Sequence, residues 1–323
     1  MTITVLISAP YMIPFIERFR PVFARYAIEL LEPQVEERLE EEHLLAFAGQ
    51  FDGAICGDDR FTARVIEACT PRLKVISKWG TGIDSIDQRA AARLGVMVGN
   101  TPNAFTLPVA DTVLGYLLAF ARRQPWMDRQ MKSGLWQKIP GRALNECTLG
   151  VIGVGNIGQA VLRRAQACGM RLLGNDIIDI PAGFLTETGV TMTTLEDLLA
   201  QSDFVSLNCD LNPSSQHLIN ADTLALMQST AVLINTARGP IVDESALIAS
   251  LQAGAIAGAA LDVFEFEPLP ADSPLLRMDN VLLAPHNSNS SPAAWEHVHW
   301  NSIRNLLHGL DISTNGLDPK EYV

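Results

Sequence analysis

The sequence predicts an α/β protein, with parallel sheets flanked by helices and arranged in two domains. Three observations carry that expectation. Short β-branched runs alternate with amphipathic helical stretches almost throughout the chain. At 323 residues there is room for two such units. A glycine-rich turn, Gly153-Val154-Gly155-Asn156-Ile157-Gly158, opens a second series of strands midway along.

In the first series, strands are expected at Thr4–Ser8, Ile28–Leu31, Gly53–Cys56, Leu73–Lys78 and Val96–Val98. Helical patterns fall at Gln34–Phe47, Thr62–Ala68 and Gln88–Leu94. The acidic run Glu36 to Glu42 reads as a solvated helix face. A long apolar crossover helix follows at Val109–Arg123, with Pro108 suited to its first position. The second series predicts strands at Leu149–Val154, Arg171–Asn175, Phe204–Asn208, Ala231–Asn235, Ala257–Asp262 and Val281–Ala284. Leu195–Ala200, Ala221–Met227 and Glu244–Leu251 read as helices between them, and Ala293–Leu310 as a final helix returning to the first domain. This divides the chain into residues 1–101 with 290–323, and residues 102–289.

Composition narrows the class. The chain is 48% hydrophobic and 19% charged, which suits a well-buried enzyme and argues against disorder. A net charge of −12, with a pI of about 4.9, disfavours nucleic acid or an anionic membrane as partner. The apolar start has no basic segment before it, and Pro10 and Pro14 interrupt it, so it reads as a strand and not a signal peptide. No run reaches the roughly 18 apolar residues of a membrane span. Cys56, Cys69, Cys147, Cys168 and Cys209 are scattered, as expected of reduced thiols in a cytoplasmic protein. The histidines show no metal-ligand spacing, so no metal is expected.

The glycine turn carries the first chemistry. Gly153 permits a tight turn, Gly155 lets a pyrophosphate approach the backbone, and Gly158 lets the helix pack on the strand. Asn156 and Ile157 begin the helix, whose N-terminus favours the diphosphate. Asp176 closes the next strand at about the 20-residue offset of an acid that binds the adenosine ribose. A carboxylate there repels a 2′-phosphate, and Ile177-Ile178-Asp179 brings no cation to offset it, so NAD is expected over NADP. Both domains then read as Rossmann-like.

Ligands of such sheets bind at the carboxyl ends of the strands. Those ends offer Trp79-Gly80-Thr81-Gly82, whose amides suit a carboxylate; Thr236-Ala237-Arg238; Asp262 with Glu267; and His286. The combination fits hydride transfer to a 2-oxo acid. Arg238 can clamp the substrate carboxylate and polarise the carbonyl. His286 can protonate the carbonyl oxygen, and Glu267 can fix its tautomer and stabilise its cation. Asp262 can accept a hydrogen bond from the nicotinamide carboxamide. Each also has a structural reading: Arg238 as a cap or ion-pair residue, His286 as a core histidine, the two acids as turn residues. His43, His217, His297, His299 and His308 lack comparable company and read as structural or exposed.

With these motifs, the chain resembles the D-isomer-specific 2-hydroxyacid dehydrogenases over nearly its whole length. The matching pieces are Gly80–Asp87, Val109–Thr112, Leu149–Gly158, Leu233–Gly239, Gly258–Pro268 and Ala284–His286. The resemblance implies catalytic roles for Arg238, Glu267 and His286 and cofactor contacts that include Thr112, Thr236, Ala237 and Asp262. It implies a substrate domain formed by both chain ends, a central NAD domain, an active-site cleft between them that closes over substrate, and a homodimer built through the crossover-helix region. Three departures stand out: Asn287-Ser288-Asn289-Ser290-Ser291 replaces small, glycine-rich residues, Asp111 replaces a commoner glutamate, and Asp210–Gln216 replaces a proline- and threonine-rich cofactor loop. The substrate is left between a phosphorylated acid (3-phosphoglycerate or phosphohydroxypyruvate) and a small one such as hydroxypyruvate or glyoxylate. Lys78 or Arg60 is placed to meet a phosphate, against the acids Asp58 and Asp59. Glu267 argues against formate oxidation. An NAD-sensing corepressor or scaffold without turnover would retain the same residues.

Overall fold

The computed structural model describes residues 2–322. The chain divides into two compact units, one running to Ala104 and resuming at Ser291, the other Phe105–Ser290.

The first unit is a five-stranded parallel sheet in the order β2-β1-β3-β4-β5: β1 (Ile3–Ile7), β2 (Ile28–Leu31), β3 (Gly53–Cys56), β4 (Val75–Lys78) and β5 (Met97–Gly99). The helices are α1 (Ile16–Arg25), α2 (Glu41–Leu45), α3 (Ala63–Cys69) and α4 (Gln88–Leu94). β3 and β4 are buried throughout, so neither alternates apolar with exposed polar residues, and the polar Ser77 in β4 is satisfied by donating to the Ser302 carbonyl at 2.8 Å. Thr62 and Asp87 cap α3 and α4 by accepting the Val65 and Ala90 amides, each worth about 1 kcal/mol.

The expected helix over 34–47 shrinks to α2. The preceding backbone bonds elsewhere: Leu39 N–H donates to Asp59 Oδ1 at 2.5 Å, and the Leu39 carbonyl accepts from Arg60 at 3.0 Å. Buried Leu39 is thereby held to the loop after β3 and kept out of a helix.

The second unit runs α5 (Thr106–Ala121), α6 (Gln124–Lys132), β6 (Thr148–Ile152), α7 (Asn156–Ala167), β7 (Arg171–Asn175), α8 (Ala182–Thr188), β8 (Thr191–Met192), α9 (Leu195–Gln201), β9 (Phe204–Leu207), α10 (Ala221–Leu224), β10 (Val232–Asn235), α11 (Glu244–Gln252), β11 (Gly258–Leu261) and β12 (Val281–Leu283). All seven strands are parallel, in the order β12-β11-β10-β9-β6-β7-β8. The order reverses beside β6, so a crevice opens between the carboxyl ends of β6 and β9. The crossover helix begins earlier than expected, which puts Pro108 third in α5, where its missing N–H still costs no helical bond. It also ends earlier: Arg123, at φ 55°, breaks the chain into α6. α10 stops at Leu224, short of the expected Met227, and α6, α8 and β8 are elements the sequence pattern did not reveal.

α12 (Pro292–Gly309) returns to the first unit and packs on β3, β4 and β5. Its His299 is 3% exposed, and Nδ1 accepts the Trp79 indole N–H at 2.9 Å. Burial, chiefly, holds the His299 pKa down to about 4; the charge of Glu296 raises it and that of Arg18 lowers it. The unfolded chain therefore binds a proton here below about pH 6.5 that the folded chain refuses until about pH 4. Stability from this group is complete above pH 6.5 and lost as the pH falls toward 4. Relative to His299→Gln, the wild type is expected to lose up to about 3 kcal/mol over that interval in urea titrations. Parallel pH dependence of the two proteins would contradict it.

All five cysteines are free; Cys56, Cys69 and Cys147 are buried, and Cys168 and Cys209 partly so. No helix among the described residues is long and apolar enough to cross a membrane.

Candidate active site

The carboxyl edge of the seven-stranded sheet gathers the singled-out residues of the second unit. At the end of β6, Gly153 has φ 87°, in the left-handed region that favours glycine, and a Cβ there would stand 2.5 Å from the Cys209 amide nitrogen. A Cβ on Gly158 would lie 2.0 Å from the Gly153 carbonyl oxygen, so α7 packs on the turn only because that side chain is absent. Gly155 differs: a Cβ would meet nothing within 4 Å. Its bare face is open at the N-terminus of α7, where first-turn amides have no intrahelical partner.

Two further observations fit a dinucleotide. Thr236 Oγ1, at the end of β10, and Asn208 Oδ1, at the end of β9, are buried without a hydrogen-bond partner in the protein. A buried acceptor left unmade costs about 1–3 kcal/mol, which a ligand hydroxyl or amide in the crevice would recover. Asp176 stands at the end of β7; its Oδ2 accepts the Val154 N–H at 2.6 Å and Oδ1 the Ile178 N–H at 3.1 Å. Asp176 is thus fixed directly to the glycine turn. Asn208 escaped the sequence reading because it passed as the last residue of a strand. Its amide donates to the Ile152 carbonyl at 2.8 Å, across the β6–β9 crevice.

These geometries separate two glycines. Gly155→Ala is expected to fold normally and to weaken NADH binding at least about tenfold, because only a ligand would meet the new methyl. Gly158→Ala is expected to lower stability by more than about 2 kcal/mol through a backbone clash. Fluorescence titration with NADH and thermal melts of both variants check the contrast; equal effects on folding would contradict it.

Arg238 follows β10 and precedes a 3₁₀ turn, Gly239–Ile241. Asn235 sets its backbone, donating from Nδ2 to the Arg238 carbonyl at 2.9 Å and accepting from the Ala237 N–H at 3.1 Å. The partly buried guanidinium donates from Nη1 to the Ala237 carbonyl at 2.9 Å. Gly239 has no room for a side chain: a Cβ would fall 1.9 Å from the Phe264 carbonyl carbon. The Arg238 turn is therefore pressed against the segment that carries Glu267.

His286 follows β12. Its Nδ1 lies 3.0 Å from Glu267 Oε2, with side chains 18% and 14% exposed. Glu267 Oε1 accepts the Phe264 N–H at 2.9 Å, which leaves the other oxygen for the imidazole. A carboxylate on Nδ1 makes that nitrogen the N–H donor and leaves Nε2 for proton exchange. His286 is held at φ 50°, left-handed backbone that costs a non-glycine residue roughly 1 kcal/mol or more. Its N–H donates to the Asp262 carbonyl at 2.8 Å.

Asp262 turns out to serve this loop. It is 0% exposed, and its two oxygens accept the Asn287 and Ser288 amides at 2.8 and 2.9 Å. The carboxylate therefore anchors the segment after His286. Thr112, on α5, donates to the Ser288 carbonyl at 3.5 Å and to the Pro108 carbonyl at 3.1 Å. Within the polar stretch that departs from the family pattern, Ser288 is buried and Asn287 exposed. Asp111, the other departure on this helix, pairs with Arg164 on α7 at 2.7 Å.

In the first unit, Trp79-Gly80-Thr81-Gly82 follows β4. Trp79 is 2% exposed, stacked 5.0 Å from Tyr11, so its ring is structural and the backbone beyond it forms the loop. Thr81 Oγ1 donates to the Thr101 carbonyl at 3.0 Å, and the Thr81 carbonyl accepts from Asn100 Nδ2 at 2.6 Å. Lys78 corrects an expectation. Its ammonium lies 2.9 Å from Asp58 Oδ1, with a side chain only 6% exposed, so its charge is spent inside the fold. His217 is the other correction, since it does have acidic company: Nε2 lies 2.5 Å from Glu265 Oε1.

Known proteins resemble this chain in sequence and in fold. The model of the D-isomer-specific 2-hydroxyacid dehydrogenase NAD-binding domain matches residues 114–288. A glyoxylate reductase of Korarchaeum cryptofilum is 43% identical over 239 residues, 72% of this chain and 71% of that protein. A D-3-phosphoglycerate dehydrogenase of Methanocaldococcus jannaschii is 39% identical over 269 residues, 82% of this chain but only 51% of that longer protein. The crystal structure of a D-lactate dehydrogenase from Aquifex aeolicus, complexed with NAD and lactic acid, matches with a TM-score of 0.84 and 26% identity over 95% of each chain. The chain belongs to the D-isomer-specific 2-hydroxyacid dehydrogenases and is an NAD-dependent oxidoreductase of that family.

Proposed function

We propose that the protein reduces a small, unphosphorylated 2-oxo acid, such as glyoxylate or hydroxypyruvate, to the corresponding 2-hydroxy acid. One observation carries the reading: Arg238 and the Glu267–His286 pair stand at the carboxyl ends of neighbouring strands, on the edge that holds the glycine turn. Bound NADH supplies the hydride. Arg238 receives the substrate carboxylate and draws charge from the carbonyl. His286 gives a proton from Nε2 to the carbonyl oxygen and takes it back in the reverse direction, while Glu267 holds Nδ1–H and offsets the charge on the ring. Gly153, Gly155, Asn156, Ile157 and Gly158 would hold the pyrophosphate, Asp176 the adenosine ribose, and Thr236, Ala237 and Asn208 the crevice side. Asp262 and Thr112 act through the loop after His286.

The Lys78–Asp58 ion pair supports an unphosphorylated substrate, because it removes one of the two cations placed to meet a phosphate. The glyoxylate reductases among the relatives support it too. The reading takes a homodimer as the assembly and the cytoplasm as the compartment. A panel of glyoxylate, hydroxypyruvate, pyruvate and phosphohydroxypyruvate, each with NADH and NADPH, tests it. Highest kcat/KM with NADH and an unphosphorylated acid is expected. Preference for phosphohydroxypyruvate, or for NADPH, would overturn the corresponding half, and absence of turnover would favour a scaffold that only binds NAD.

A further inference from the structure

Glu265 has no part in the chemistry above, yet three strand-end segments meet on its side chain. Oε1 lies 2.5 Å from His217 Nε2, and Oε2 accepts the Glu244 backbone N–H at 3.3 Å. Glu244 reciprocates, its Oε2 accepting the Glu265 N–H at 3.2 Å. His217 belongs to the segment after β9, Glu244 opens α11 after β10, and Glu265 follows β11. The first two segments are also laced by backbone bonds. The His217 N–H donates to Pro240 at 2.9 Å, Ile219 to Ile241 at 3.1 Å, and Asp243 back to Ile219 at 2.8 Å. His217 is at φ 48°, so the chain turns sharply to bring its ring to Glu265.

The knot lies between the two parts of the reactive set. Gly239, next to Arg238, is pressed on the Phe264–Glu265 peptide, and Phe264 donates to Glu267, the partner of His286. Glu244 and Glu265 bring two carboxylates together; burial pushes the Glu244 carboxyl above its usual range, and the charge of Glu265 adds to that. The imidazole of His217 completes the cluster, with Nε2 at 2.5 Å from Glu265 Oε1. Reacting groups misplaced by about 1 Å cost about a hundredfold in rate, so a tie between these segments bears on turnover as well as on folding.

We propose that Glu265, gripped by His217 and Glu244, is a positioning residue that holds Arg238 in register with the Glu267–His286 pair. The inference rests on the acid–base assignment made above. Glu265→Ala, Glu265→Gln, His217→Ala and, in parallel, His286→Gln are compared with wild type. The assays use NADH and whichever panel acid has the highest kcat/KM. For Glu265→Ala, kcat/KM is expected to fall at least about tenfold while the NADH dissociation constant stays within about twofold. The break in its pH profile of kcat/KM is expected to move, since the Glu267 segment loses its anchor. Glu265→Gln, which keeps an acceptor and the side-chain shape, is expected to recover most of the loss. His217→Ala, altering a side chain that is 44% exposed, is expected to show the same signature more weakly.

Wild-type kcat/KM and pH profile in both Glu265→Ala and His217→Ala would overturn the proposal. So would a Glu265→Ala protein that loses NADH affinity and melting temperature in step with turnover at an unmoved pH break. If Glu265→Ala does not fold, His217→Ala decides by the same readouts. Retained turnover in His286→Gln defeats the acid–base assignment itself; loss there, with Glu265→Ala and His217→Ala unaffected, defeats only the present inference.

Discussion

Replacing His286 by glutamine is expected to lower kcat about a thousandfold and to leave the NADH dissociation constant within about twofold, since general acid catalysis typically supplies 10²–10⁴. The proton donated from Nε2 is needed only as the carbonyl oxygen gains charge, so its loss raises the barrier without weakening ground-state binding. Glu267 occupies Nδ1 at 3.0 Å, and the ring is carried on a left-handed backbone whose N–H donates to the Asp262 carbonyl and whose next two amides donate to the Asp262 carboxylate. Stopped-flow turnover and NADH fluorescence separate the two constants, with a thermal melt to establish that the variant is folded. Retained kcat would remove His286 from the chemistry.

Arg238→Lys is expected to cost at least about a hundredfold in kcat/KM for the oxo acid, through both a higher KM and a lower kcat. A lysine preserves the charge but not the planar fork, so one ammonium cannot hold a carboxylate bidentately and polarise the adjacent carbonyl. The turn that carries it is rigid, with Asn235 bonded to both sides and Gly239 wedged against Phe264, so a shorter reach is not made up by backbone movement. NADH affinity is expected to be unchanged. Steady-state kinetics across the panel check this, and wild-type KM values would place the carboxylate elsewhere.

What could be read from the sequence follows a physical division. Glycines were legible because a missing side chain has local consequences: Gly153 needs positive φ and Gly158 needs contact, and both follow from a strand turning into a helix. Buried parallel strands such as β9 and β10 were legible as short, mostly apolar runs. Arg238, Glu267 and His286 were legible because strand ends on one edge of a parallel sheet are neighbours whatever lies between them in sequence. Outcomes set by contacts between distant segments were not legible. The helix expected over 34–47 failed because Asp59 claims the Leu39 amide, and the pairing of Lys78 with Asp58 was equally invisible. His217 gained its partner only when three loops closed on Glu265. The hold of Asp262 on the Asn287 and Ser288 amides was likewise set by segments far apart in sequence.

The handedness of the product tests the central claim most directly. Hydroxypyruvate is to be reduced with NADH by the wild-type protein, and the glycerate separated by chiral chromatography. A guanidinium and an acid-backed imidazole fixed over one edge of the sheet, as in this family, predict D-glycerate as the sole enantiomer, formed in step with NADH consumed. L-glycerate, a racemate, or no NADH oxidation with any panel acid would contradict it.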